Sequence, residues 1–220
     1  MTRLGLYGGT FDPIHRGHLD VAHAARRALS LDALVFMPAN VPPHRSPPQA
    51  SAPHRFAMAA MGALGEPGVT VSDVEMLGPG PSYTASTLDG LERLGIIVRD
   101  VWMVTGADTF ADIASWKTYP DLLDRCHFVV VSRPGQPAPA LRSTLATLAS
   151  RMIDAPVEGG CEVPPRPSIF LVDAPTAPVS STEIRRLVAA GRPIDGLVPS
   201  AVAAHIGAHR LYSAREGVQL

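Results

Sequence analysis

Apolar positions along this chain follow two alternating patterns. Short, nearly unbroken runs at Arg3–Tyr7, Ala33–Met37, Val101–Thr105, Phe128–Val131 and Ser168–Val172 have the length and composition of strands buried on both faces. Val69–Val71 is a shorter run of the same kind. Between the runs, apolar residues recur at helical spacing. Leu19, Ala22, Ala25 and Leu29 form one such stripe, and Pro53–Leu64, Thr84–Leu94, Ala140–Ala149 and Glu183–Ala190 are further helix candidates. Strands alternating with helices predict an α/β fold: a Rossmann-like, doubly wound parallel sheet with helices on both faces. Such sheets bind ligands beyond the carboxyl ends of their strands, where strand order reverses. The residues that follow each strand are therefore the informative ones. Pro38–Pro53, with six prolines, Gly78–Ser82, Arg133–Pro139 and Ala155–Pro167 read as loops, the last as a surface excursion. Strands resume around them, so residues 1–220 are expected to form a single domain, with a small C-terminal helical part from residue 180 or so.

The first strand leads into Gly8-Gly9-Thr10-Phe11-Asp12-Pro13-Ile14-His15-Arg16-Gly17-His18. Paired glycines let the backbone approach a ligand and adopt positive φ. Asp12-Pro13 predicts a turn. A helix beginning near His18 would turn its unpaired N–H groups and positive dipole end toward an anion. His15 and His18, three apart, can each donate an N–H to that anion, and Gly17 between them leaves room for phosphate oxygens. The alternatives are an incidental surface pair and a zinc site. The zinc reading has no third ligand nearby and lacks the HxxxH spacing of a zincin helix.

The last strand candidate is followed by Val179-Ser180-Ser181-Thr182-Glu183-Ile184-Arg185. Ser180 with Glu183 fits a capping box, which predicts another helix start. Capping accounts for those two residues but not for Arg185, a cation in the first turn where it opposes the helix dipole. A bound polyphosphate would account for it.

These two blocks resemble the signatures of the nucleotidyltransferase superfamily with the (T/H)xGH and ISSTxIR motifs, Val179 standing where isoleucine is usual. The sequence between them narrows the resemblance. Pro38-Ala39-Asn40-Val41-Pro42-Pro43-His44-Arg45, Pro81-Ser82-Tyr83-Thr84-Ala85-Ser86-Thr87-Leu88, Gly106-Ala107-Asp108 with Trp116-Lys117, and Val130-Val131-Ser132-Arg133-Pro134-Gly135 look like the nicotinate-nucleotide adenylyltransferases. The likeness runs from Leu4 to about Tyr212. It departs at Ser86, where many relatives carry Asp, and at His205, where an aromatic residue is usual and only a packing consequence is expected.

The resemblance implies transfer of the adenylyl group of ATP to nicotinate mononucleotide, with release of pyrophosphate. It implies ATP contacts at Gly8, Gly9, Thr10, Phe11, His15, His18, Gly106, Asp108, Arg133, Ser180, Ser181, Thr182 and Arg185, with His15, His18 and Arg185 catalytic. Mononucleotide contacts are implied at His44, Arg45, Tyr83, Thr84, Asp108 and Trp116. The middle residues suit those roles chemically. Trp116 offers a flat face for a pyridine ring, and Lys117 and Asp112 beside it argue against a wholly buried segment. The Tyr83-Thr84 turn opens a helix whose N–H groups can hold a carboxylate. Asp108 can accept from ribose hydroxyls, Arg133 can reach the adenosine part, and His44 and Arg45 can carry positive charge over the phosphates. Solvated loop charges are the alternative for Arg133, His44 and Arg45. Mg²⁺ is expected with ATP, held mainly by phosphates and water rather than by a protein metal site. Competing readings keep the chemistry with nicotinamide mononucleotide or phosphopantetheine as acceptor, or make the chain a non-catalytic nucleotide-binding sensor.

Composition narrows the partners. The chain is 46% apolar and 18% charged, enough for a sizeable core, and its net charge of −1 argues against broad nucleic-acid binding. No apolar run approaches the ~18 residues that span a bilayer, and the N-terminus shows no signal-peptide core. Cys126 and Cys161 form no CxxC pair and are expected as thiols in a reducing cytoplasm. The expected partners are ATP and nicotinate mononucleotide, without nucleic acid or membrane. A homo-oligomer is compatible with all of this.

Overall fold

The computed structural model describes residues 3–42, 46–78, 80–159, 161–162 and 164–213. The strands β1 (Leu4–Gly9), β2 (Ala33–Pro38), β3 (Val69–Val71), β4 (Val101–Gly106), β5 (His127–Val131), β6 (Met152–Ala155) and β7 (Ile169–Val172) form one seven-stranded sheet in the order β3-β2-β1-β4-β5-β7-β6. Every pairing is parallel. β4, β5 and β7 are buried at every position, which is why they stand in the sequence as unbroken rather than alternating apolar runs.

Successive side chains of each strand point to opposite faces and enter two cores. Tyr7, Val104, Val129 and Phe170 pack with α1 (Arg16–Leu29) and α2 (Ala52–Ala63). Leu6, Met103, Phe128 and Leu171 pack on the other face with α3 (Thr84–Arg93). The short α4 (Ala107–Phe110) and α5 (Leu141–Thr144) lie on this second face as well. α6 (Ser181–Ala189) and α7 (Ser200–Ala208) return to the first face through Ile184, Leu187, Val202 and Ile206. The fold is the Rossmann-like doubly wound sheet that the alternation of strands and helices predicts. From β1 the chain builds β2 and β3 on one side, then crosses to β4 on the other. The carboxyl ends of β1 and β4 are thus neighbours at a switch point, with Tyr7 opposite Val104.

Three expectations are corrected. The Ala140–Ala149 helix is α only over Leu141–Thr144, flanked by 3₁₀ turns at Ala138–Ala140 and Ala146–Arg151. Ser143, Thr144 and Thr147 are weak helix formers, and the Thr144 hydroxyl donates to the Ala140 carbonyl at 3.1 Å. Directly after it, Met152–Ala155 is an edge strand; at four residues, with Asp154 exposed, it carries little pattern. α1 starts at Arg16, two residues before His18, with His15 as its N-cap. Among the described residues no helix is long and apolar enough to cross a membrane. Cys126 is buried, Cys161 is partly exposed, and both are free thiols, as expected.

Candidate active site

A cleft of about 800 Å³ opens at the β1/β4 switch point. Gly8 and Gly9, the last residues of β1, form part of its wall. Their positive φ is not observed; the left-handed residue of this turn is Phe11, at φ 48°. The two glycines matter for space instead. A Cβ on Gly9 would lie 2.8 Å from the Phe11 ring, whereas one on Gly8 would meet nothing within 4 Å and would project into the open cleft.

The turn is braced by side chains. Asp12 is buried, and its carboxylate accepts from the Gln49 N–H at 2.8 Å, the Ala50 N–H at 3.0 Å and the Tyr212 hydroxyl at 2.7 Å. Arg55, 2% exposed, donates to the carbonyls of Thr10, Ala39 and Asn40. It joins the turn after β1, the loop after β2 and the first turn of α2. Burial lowers its pKa below that of a free guanidinium. Asp12 is legible in the sequence only as a turn residue, and Arg55 and Tyr212 carry no sequence signal at all.

His15 and His18 lie at the start of α1 with their rings stacked, centroids 3.7 Å apart. The His15 N–H donates to His18 Nδ1 at 3.2 Å. With Nδ1 accepting, a neutral His18 carries its proton on Nε2. Phe11 stands edge-on behind His18, at 5.0 Å between centroids, with its own ring buried in the core. His15 is 2% exposed, and Nδ1 has no hydrogen-bond partner among the described residues. Burial, with the Arg133 guanidinium nearby, lowers its pKa to about 3. An unfolded histidine titrates near 6.5. Between those values the unfolded chain binds a proton that the folded chain refuses, so the contribution of a neutral His15 to stability is full above pH 6.5 and is lost as pH falls toward 3. The urea midpoint is expected to drop across that window, and less steeply in His15→Gln. Equal slopes for the two proteins would contradict a buried neutral ring.

The α6 start faces the same cleft. Ser180 is its N-cap, and its Oγ accepts from the Glu183 N–H at 3.2 Å. Only this half of the expected capping box forms, because the Glu183 carboxylate turns to Arg186 at 2.7 and 2.9 Å. Ser181 donates to the Pro13 carbonyl at 2.9 Å, which ties α6 to the β1–α1 turn across 168 positions of sequence. Arg185 donates to the Asp12 carbonyl at 2.7 Å and to the Thr182 hydroxyl at 3.2 Å. Arg185 is the fifth residue of α6, just past its first turn, and protein acceptors already engage this cation. Its buried Nε has no partner among the described residues.

From the β4 side come Gly106, Asp108 and Trp116, and from beyond β5 comes Arg133. A Cβ on Gly106 would lie 2.5 Å from the Asp108 carboxylate and 3.0 Å from the Arg133 side chain. Arg133 donates to the Gly17 carbonyl at 3.1 Å and the Val179 carbonyl at 3.3 Å, linking both helix starts. Trp116 is half-buried, edge-on to Phe128 at 6.2 Å. Thr10, Phe11, Ser180, Ser181 and Thr182 also line the cleft.

Tyr83 and Thr84 are not in the cleft wall. Tyr83 caps α3, and the Lys117 ammonium lies 5.0 Å from its ring, beside Trp116. The loop before it is bound to the β2 loop by Asn40 N–H to Ser82 Oγ at 2.8 Å and Ser82 N–H to the Val41 carbonyl at 2.9 Å. Tyr83 therefore follows a loop joined to Val41, next to the cleft residue Pro42. His44 and Arg45 lie outside the described residues. Ser86 is exposed on α3.

Comparison with known proteins agrees with this geometry. The cytidylyltransferase-like family model matches residues 6–187. The chain is 39% identical over 216 residues to the probable nicotinate-nucleotide adenylyltransferase of Roseiflexus sp. (strain RS-1), covering 95% of this chain and 97% of that one. It is 38% identical over 212 residues to the probable nicotinate-nucleotide adenylyltransferase of Pseudomonas aeruginosa PAO1, covering 96% and 98%. Among solved structures, Plasmodium falciparum nicotinic acid mononucleotide adenylyltransferase complexed with NaAD superposes with a TM-score of 0.73 at 18% identity, over 96% of this chain and 98% of that one. That likeness supports the fold; the sequence matches carry the family. A nearly full-length match at this identity, together with a cleft at the switch point walled by both signature motifs, means that this chain belongs to the nicotinate-nucleotide adenylyltransferase family of cytidylyltransferase-like enzymes.

Proposed function

We infer that this enzyme transfers the adenylyl group of ATP to nicotinate mononucleotide, giving nicotinate adenine dinucleotide and pyrophosphate, a step of NAD biosynthesis. The observation that carries the reading is the convergence of two helix N-termini, α1 and α6, with His18, Arg133 and Arg185 on one cleft. Such a cleft suits a polyphosphate. A mononucleotide 5′-phosphate oxygen attacks the α-phosphorus of ATP, the bond from that phosphorus to the bridging oxygen breaks, and pyrophosphate leaves. The attacking phosphate is already an anion at neutral pH, so no general base is needed. The protein's contribution is position and charge. His18 Nε2–H donates to the α-phosphate as charge grows there. His15 supports it from behind and stays neutral. Ser181 and Arg185 steady the pyrophosphate, with Ser180 and Thr182 beside them. Gly8, Gly9, Thr10 and Phe11 bring backbone close to the nucleotide, while Gly106, Asp108 and Arg133 hold the adenosine part. Trp116 stacks on the pyridine, with Tyr83, Thr84, His44 and Arg45 on the mononucleotide side.

Mg²⁺ fits this cleft as a companion of ATP. Asp12 is fully engaged by its four partners, and Asp108 is the exposed carboxylate of the wall, so phosphate oxygens and water are the main ligands on offer. When bound, the ion would neutralise phosphate charge. The same reading treats residues 1–220 as one nucleotidyltransferase domain. It is supported by the bonds from the C-terminal helical part to the β1–α1 turn.

Arg185→Ala is expected to weaken ATP binding by roughly 1.5–3 kcal/mol while AMP binding changes little. Arg185 also braces Asp12, so the ATP-to-AMP ratio is the informative quantity; a purely structural loss would weaken both alike. Calorimetry with both nucleotides checks it, and equal losses would remove Arg185 from the outer phosphates. Pyrophosphate release from ATP in the presence of candidate mononucleotides tests the function itself.

A further inference from the structure

His205 does more than fill space. It belongs to a cluster with His54 and His209 in which ligand atoms of all three rings lie within 4.8 Å of one another. We propose that His54, His205 and His209 form a binding site for a divalent transition-metal ion of the Zn²⁺ class, joining α2 to α7. His54 lies in the first turn of α2. His205 is in α7, and His209 caps it four residues on, its N–H donating to the His205 carbonyl at 3.1 Å. Residues four apart on a helix share a face, so both imidazoles meet His54 from one side. The HxxxH spacing missing from the His15–His18 pair is present here, with a third ligand supplied by a different helix.

The distances suit an ion. His54 Nδ1 and His205 Nε2 share a hydrogen bond and are 3.0 Å apart. Two nitrogens of a tetrahedral zinc site, each about 2.0–2.1 Å from the metal, stand roughly 3.3 Å apart. The ring centroids of His54 and His205 both lie close to that of His209, at 4.8 and 4.4 Å. His209 is the exposed member, so it has the freedom to close the remaining distance, on the order of 1 Å, and to leave a fourth position to water. Binding would displace the hydrogen bond between His54 and His205, since both nitrogens must turn a lone pair to the ion. Three neutral imidazoles favour zinc, copper or nickel over magnesium, so this site is chemically distinct from the ATP cleft. Among the described residues no other three His, Cys, Asp or Glu side chains converge in this way.

An ion here would bind two elements that brace the cleft. α2 carries Arg55, and the chain beyond α7 carries Tyr212, whose hydroxyl donates to Asp12. Occupancy should therefore stabilise the fold. The probe is Zn²⁺ alone, titrated into metal-depleted full-length protein without nucleotide, with circular dichroism as the check on folding. One Zn²⁺ per chain is expected. At a hundredfold excess over its dissociation constant it should raise the melting temperature by roughly 5–10 °C. His205→Gln should weaken Zn²⁺ binding about tenfold or more. His209→Gln, at the exposed position, should do the same without lowering the melting temperature of the metal-free protein. Absence of saturable binding would overturn the proposal. So would equal affinity and an equal thermal shift in both variants, which would place the ion elsewhere, for instance at Cys161.

Discussion

His18→Ala is expected to lower turnover by ~10²–10³ while ATP affinity changes far less. His18 is a donor held at the start of α1, with its proton on Nε2 because Nδ1 accepts the His15 N–H at 3.2 Å. Phe11 behind it, at 5.0 Å, limits where the ring can turn. A donor aimed at charge that develops only in the transition state costs little binding and much rate when removed, typically that factor. The substitution also removes the hydrogen bond to His15, worth about 1 kcal/mol of stability. A melting curve separates that loss from the catalytic one. Turnover at saturating substrates, set beside the ATP dissociation constant, is the measurement. Near-normal turnover would remove His18 from the reacting centre.

Asp12→Ala is expected to cost roughly 3–5 kcal/mol of stability, a fall of about 6–20 °C in melting temperature for a chain of this size. Asp12 is 3% exposed, and three donors converge on its carboxylate, with Arg185 at 3.7 Å. Truncation would leave the buried Ala50 N–H and the partly buried Gln49 N–H and Tyr212 hydroxyl without their acceptor. It would also remove the anion that faces Arg185. Asp12→Asn should recover only part of the loss, because its NH₂ would confront one of those donors. Thermal and urea unfolding measure the effect. A cost below 1 kcal/mol for Asp12→Ala would show that the turn after β1 is held by other contacts.

What the sequence reveals and what it hides follow from the range of each interaction. β4, β5 and β7 are legible because burial on both faces demands apolar residues at every position. β3, at three residues, is legible because it is bounded by turn residues. β6 is not, since four residues at a sheet edge with one exposed carboxylate leave too little pattern. α7 goes unmarked as a separate helix because its small residues make no stripe, and only Val202 and Ile206 are buried. In the site, the helix start at Ser180 can be read because capping by serine is local chemistry, whereas the α1 start reads two residues late, near His18, because histidine is not a usual cap. The bracing is hidden. Asp12 meets Tyr212 across 200 positions, and Arg55 reaches Thr10 across 45. No spacing rule links such pairs. Of the two reasons the sequence offers for Gly8 and Gly9, positive φ is absent from the structure, and the space each leaves is what the structure displays. His205 is read from sequence as a packing position, since its partners are 151 positions away on α2 and one turn further along its own helix.

The acceptor distinguishes this enzyme from its chemical neighbours. Nicotinate and nicotinamide mononucleotides differ by a carboxylate against a carboxamide. A pocket that prefers the first must offer donors to both oxygens and no acceptor to an NH₂ group. In the proposed function that role falls to the N-terminus of α3, which would supply backbone N–H groups and a positive dipole end; its cap, Tyr83, has the ammonium of Lys117, the residue after Trp116, 5.0 Å from its ring. A buried mismatch of donors costs about 1–3 kcal/mol, so kcat/KM should favour nicotinate mononucleotide by roughly tenfold to over a hundredfold. The measurement is the steady-state rate of pyrophosphate release at saturating ATP, with nicotinate mononucleotide, nicotinamide mononucleotide and phosphopantetheine compared as acceptors. Release should be fastest with nicotinate mononucleotide and slight or absent with phosphopantetheine. Equal specificity for the two pyridine nucleotides would overturn the α3 pocket, and no release with either would contradict the assigned reaction.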